Sequence, residues 1–95
     1  MIQVPRQFDA HGLAIRIKTR REALQYTTYD VADNAELSAT QINNLECERI
    51  ISPGIETLIR IAYALGTTPE WLIFGDDNYG APTDHIGTRI IKEEN

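Results

Sequence analysis

Only one cysteine, Cys47, occurs among the 95 residues. An internal disulfide is thereby excluded, and nothing stands beside Cys47 at metal-ligand spacing. Long hydrophobic runs are missing too. Apolar residues are dispersed and never approach the ~20 consecutive positions that a membrane-spanning helix needs. The opening MIQVPRQF lacks the charged and then apolar order of an export signal. The chain therefore reads as a soluble, cytoplasmic protein with no membrane partner. Signatures of catalysis are absent: no nucleophile elbow, no HExxH, no phosphate-cradling glycine loop, no evidently paired carboxylates. Neither enzymatic activity nor a cofactor nor a metal is expected. His11 and His85 stand apart from any companion at ligand spacing and read as solvent-facing.

Positive charge is also scarce, with nine Lys and Arg against fourteen Asp and Glu and a net charge of −5. Nucleic-acid binders draw non-specific affinity from cations that displace counterions from phosphates, so this balance argues against one. The charges are unevenly placed. Arg6, Arg16, Lys18, Arg20 and Arg21 precede residue 22, whereas residues 27–52 set Arg49 alone against Asp30, Asp33, Glu36, Glu46 and Glu48. Ninety-five residues make one small domain that buries only about two-thirds of its unfolded surface, which favours a homodimer.

Against this background the stretch TTYDVADNAELSATQINNL, residues 27–45, stands out. Two short helical patterns lie a few residues apart, the outline of a helix-turn-helix. Thr27 and Thr28 are N-cap candidates for the first, and Val31, Ala32 and Ala35 share one face, small enough for a close helix approach. Ser38 caps the second. There Ile42 and Leu45 point inward, leaving Ala39, Thr40, Gln41, Asn43 and Asn44 turned largely outward. A solvated face usually carries Lys and Glu. Short amides and hydroxyls are instead the groups that read base edges in a major groove.

Around this unit, residues 1–8 read as an N-terminal arm and 9–75 as the helical domain. A first helix runs from about Asp9 or Gly12 to about Leu24, with Leu13, Ile17 and Leu24 on one face and the cations on the other. Ile50 and Ile51 are unusually apolar for a connector. Ser52-Pro53 then reads as the start of a fourth helix whose inward stripe is Ile55, Leu58, Ile61, Ala62 and Leu65, ended by Gly66. Thr68-Pro69 repeats the start signal for a short fifth helix, Pro69 to Phe74, stopped at Gly75. From Asp76 the composition shifts to a tail, residues 76–95. Its Ile86, Ile90 and Ile91 suit either a strand, across a dimer or beside Ile2 and Val4, or a disordered segment.

With these elements in place, the chain resembles the lambdoid phage repressor and Cro family of helix-turn-helix DNA-binding domains over roughly residues 13–75. IRIKTRREAL is similar to that family's first helix, TTYDVADNAELSATQINNLE to its helix-turn-helix, and IETLIRIAYALGTTPEWLIFG to its closing pair. The resemblance implies an all-α, five-helix fold with the helix-turn-helix at helices two and three. It also implies a structural ion pair between Arg21 and Glu46. Base edges would be met by Ala39, Thr40 and Asn44, with Gln41 and Asn43 beside them. Asn44 would pair with adenine, and Ala39 and the Thr40 methyl would pack on thymine. Thr27, Thr28, Arg49 and Ser52 would hold phosphates, the first two at a helix N-terminus. Apart from the resemblance, Trp71 and Leu72 read as core or dimer contacts, and with Phe74 they are the expected dimer interface.

Three departures from the family pattern weaken the expected grip on DNA. Thr28 stands where a longer Gln is usual. Glu48 replaces a common glycine, so the chain is expected to turn differently there. The connector to the fourth helix is slightly longer and has lost most of its basic residues. The expected function is a sequence-specific transcriptional regulator of phage or mobile-element type, binding double-stranded DNA as a dimer on a palindromic operator. The rival expectation is a helix-turn-helix module, such as an antirepressor or antitoxin-like partner, whose acidic face meets another protein.

Overall fold

The computed structural model describes residues 9–50 and 52–75. The expected arm and tail lie outside the described residues. Five helices follow one another: α1 (Ala10–Ala23), α2 (Thr28–Ala35), α3 (Ala39–Glu46), α4 (Ile55–Leu65) and α5 (Pro69–Phe74). Local chemistry sets most of their ends. Thr27 Oγ1 accepts from Asp30 N at 3.1 Å while Asp30 Oδ2 accepts from Thr27 N at 2.8 Å. Ser38 and Gln41 repeat the arrangement at the head of α3, with both bonds near 3 Å. These are two capping boxes, each satisfying helix-start amides that lack intrahelical acceptors. Thr68 caps α5, with Pro69 in its first turn. Gly66 and Gly75 close α4 and α5 in the left-handed conformation, at φ 69° and 70°.

The core gathers Leu13 and Ile17 of α1, Val31, Ala32 and Ala35 of α2, Ile42 and Leu45 of α3, and Leu58, Ile61 and Leu65 of α4, with Leu72 of α5 below them. The alanines on α2 are what allow α4 to pack against it. Burial of the large members, at roughly 1.5–3 kcal/mol each, holds the helices together around this core. Ile50 packs against this core as well, which explains an apolar residue in the connector.

Two expectations about α4 need correction. The helix begins at Ile55, with Gly54 as the N-cap. Gly54 has the extended backbone a cap requires, and its carbonyl accepts the first helical bond, from Leu58 N at 3.1 Å. Ser52-Pro53 therefore precedes the helix instead of opening it. Ile55 is 66% exposed, so the inward stripe starts one turn later, at Leu58. Ile55, Ile59 and Tyr63 share the outward side at i, i+4 and i+8.

The cations of α1 are placed differently from the sequence reading as well. Arg20 is buried, and its Nε donates to the Leu65 carbonyl at 2.9 Å. Arg16 is half-buried and donates through Nε and Nη2 to the Leu72 and Ile73 carbonyls, both at 2.6 Å. Desolvation pulls its pKa below the ordinary arginine value, with Asp9 opposing. These two side chains satisfy the last carbonyls of α4 and α5, where cations are favoured by the helix dipole. Gly75 is favoured twice over, by its left-handed backbone and because a Cβ there would lie 2.8 Å from Arg16 Nη1.

Candidate nucleic-acid interface

One ion pair orients the exposed face of α3. Arg21, near the end of α1, donates to Glu46 in a two-point fork, Nε to Oε2 at 2.7 Å and Nη2 to Oε1 at 3.0 Å. Its Nη1 also donates to the Tyr26 carbonyl at 2.9 Å. The two side chains are 14% and 6% exposed, and the bond to Glu46, ahead of its charge, holds the arginine pKa above its ordinary value. A paired fork of this kind fixes direction as well as distance. It ties α1, the loop before α2 and the end of α3 together, and so sets how α3 is presented.

On α3 itself, Ile42 and Leu45 face the core. Thr40 and Asn43 are exposed; Ala39, Gln41 and Asn44 are half-buried. The five expected contact residues thus share one outward side, but not on equal terms. The Gln41 carbonyl is held by the cap on Ser38, leaving its amide N–H groups to reach outward. Ala39 packs partly against the core. The Asn44 carbonyl oxygen lies 3.5 Å from Arg49 Nη1, at the limit of hydrogen bonding, so a base edge displaces little.

The expected phosphate holders divide in the same way. Thr27 Oγ1 accepts in the cap and its amide donates there, so of the two donors only the Thr27 hydroxyl hydrogen is left to offer a phosphate. Thr28 is half-buried beside it, and Arg49 and Ser52 are exposed past α3. Glu48 takes the left-handed conformation, φ 61°, that a glycine adopts readily. The expectation of a different turn is therefore corrected: the backbone makes the glycine-type turn with a glutamate in it. Glu48 Oε2 meets His11 Nδ1 at 2.6 Å, and that hydrogen bond, followed by the charge of Glu48, raises the His11 pKa. His11 is exposed as expected, but it does have a companion.

The model for the helix-turn-helix domain family matches residues 14–77. The chain belongs to the helix-turn-helix family of the lambda repressor and Cro type. Among solved structures it is similar to the P22 c2 repressor protein, crystallised in complex with a synthetic operator. That match is 26% identical, covers 67% of this chain and 96% of the repressor chain, and has a TM-score of 0.63. The N-terminal DNA-binding domain of SinR from Bacillus subtilis shares the fold at 22% identity and TM-score 0.63, over 65% of this chain and 90% of that one. None of the curated proteins compared matches the chain.

Within this helix-turn-helix domain the acidic residues of the reading unit are largely engaged. Glu46 holds Arg21, Glu36 holds Arg60 at 3.0 Å, Glu48 holds His11, and Asp30 holds the Thr27 amide. Asp33 alone of the five shows no such contact among the described residues. Leu72, expected at a dimer interface, is 0% exposed and belongs to the domain's own core. Trp71 and Phe74 remain half-buried at the surface of α5.

Sequence reasoning missed three features. The carbonyl-binding roles of Arg16 and Arg20 have no local signature. The two capping boxes did have one, Thr27-x-x-Asp30 and Ser38-x-x-Gln41, which match the S/T-x-x-acid-or-amide pattern. Tyr29, 75% exposed on α2, has no sequence pattern that marks it as an outward aromatic.

Proposed function

We propose that this domain is a non-enzymatic, cytoplasmic, sequence-specific regulator that reads double-stranded DNA by inserting α3 into the major groove. The observation that carries the reading is the outward side of α3. Thr40, Asn43 and Asn44 are short hydrogen-bonding groups with little holding them, on a helix whose orientation is fixed by a shielded ion pair. The likeness to a repressor crystallised on an operator supports the same use of the helix. Thr28, Arg49 and Ser52 flank α3 as phosphate contacts. A homodimer, joined through Trp71 and Phe74 of α5, would present two reading helices to half-sites ~34 Å apart on a palindrome, as helix-turn-helix dimers do.

A second reading, a module that binds another protein, draws on one specific observation. Arg16, Arg20 and Arg21 are consumed by carbonyls and Glu46, leaving Lys18 and Arg49 as the exposed cations without an ion pair among the described residues.

Selection from random duplex followed by sequencing, with a salt titration of the recovered site, tests the choice. A DNA reader yields a palindrome whose log affinity falls linearly with log salt. Asn44→Ala then relaxes preference at one base pair by ~1–3 kcal/mol. No enrichment, or a flat response to salt, hands the surface to a protein partner.

A further inference from the structure

The reading unit holds a feature that the contacts expected on α3 do not account for. Where the first turns of α2 and α3 meet, Thr28, Tyr29, Ala39, Thr40 and Asn43 line an open cleft of about 290 Å³. Tyr29 forms one wall, is 75% exposed, and takes no part in the core. What sets Tyr29 apart from Tyr63, which is more exposed still, is its place at the second position of α2, on the wall of this cleft. It stands next to residues at the N-terminal end of α3, the end that meets base edges in this motif.

The chemistry of the lining is specific. Ala39, Thr40 and Tyr29 bring apolar groups. Asn43 brings an amide donor, because its carbonyl oxygen lies toward Cys47 Sγ at 3.7 Å. In the major groove only thymine offers a methyl group beside a hydrogen-bond acceptor, O4; cytosine presents a donor and no methyl, and the purines present no methyl. We propose that the cleft is a thymine slot, with Tyr29 of α2 packing on the 5-methyl group that Ala39 and Thr40 approach from α3. The slot rests on the DNA reading above and adds to it a specificity residue on the helix that otherwise only positions. It ties one base choice to both helices of the motif.

The test uses the full chain and the duplex recovered by selection. Each thymine is replaced in turn by uracil, which keeps O4 and loses only the methyl. At one position per half-site affinity should fall about fourfold, the worth of burying one methyl at about 0.8 kcal/mol. In Tyr29→Ala, thymine and uracil should bind alike there, while Tyr29→Phe keeps the difference. The exposure of Tyr29 leaves folding intact in both variants, which a urea melt verifies. If the parent binds its selected duplex and every uracil exchange is silent, the slot is wrong and the DNA reading stands. If Tyr29→Ala weakens all duplexes equally and the thymine preference persists, Tyr29 touches the sugar-phosphate backbone and the slot is again overturned. If no duplex is selected, it is the DNA reading itself that fails.

Discussion

The rear of the domain and its front use polar side chains in opposite ways. At the rear, Arg16, Arg20 and Arg21 are bound to carbonyls of α4 and α5, to the Tyr26 carbonyl and to Glu46. At the front, Thr40 and Asn43 project from α3 with little to hold them. The contrast shows that formal charge is a poor guide to what a surface offers. The cluster of cations before residue 22 is mostly architecture, and the carboxylates of the reading unit are mostly spoken for by His11, Arg21, Arg60 and a backbone amide.

The contrast can be broken most violently at Arg21. Arg21→Ala leaves Glu46 shielded and unpaired, and should cost ~3–5 kcal/mol in a urea melt; a melt superimposable on the parent's would show that α3 is oriented by something else. Next comes Arg20→Ala, which strips the Leu65 carbonyl of a charged donor and should cost about 1.5–3 kcal/mol without changing how affinity responds to salt. Arg49→Gln is its mirror image. It should leave the melt in place and lower the salt slope of DNA binding by about 0.9. A variant that changed both readouts would blur the division between rear and front.

The smallest effect lies where the two regions touch, at His11 and Glu48. Because the folded pKa of His11 is raised, the contact stabilises the fold fully below the ordinary histidine pKa, about 6.5. That contribution fades as pH climbs through the raised value. NMR titration should find the His11 pKa above ordinary in the parent and returned toward it in Glu48→Gln. An unchanged pKa would mean the pair does not form in solution.

The front was more legible in the sequence than the rear. Helix order, the caps at Thr27, Ser38 and Thr68, and the glycine stops at Gly66 and Gly75 are local signals, readable from a few neighbouring residues. The inward positions of Ile42 and Leu45 follow from helical period alone. What Arg16 and Arg20 bind is set 45 or more residues away, and no local pattern encodes a carbonyl at the end of another helix. Ser52-Pro53 misled because Gly54, lacking a side chain, makes an inconspicuous cap. Glu48 misled because the glycine-type turn was expected to vanish with the glycine, although a non-glycine residue can take it at a cost of roughly 1–2 kcal/mol.

That cost recurs. Gln25, Glu36 and Glu48, at the exits of the first three helices, all have φ near +60°. Glu36 and Glu48 hold Arg60 and His11 from that posture, whereas Gln25 grips no ion among the described residues. Gln25→Gly should therefore relax a kinked exit and gain about 0.5 kcal/mol, the relief outweighing glycine's looser unfolded chain. A urea melt registers that gain, and a curve unchanged from the parent's would show that the left-handed exit at Gln25 stores no strain. The same loop, held by Arg21 through the Tyr26 carbonyl, leads into α2, so heat resistance and the pose of the motif meet within two residues.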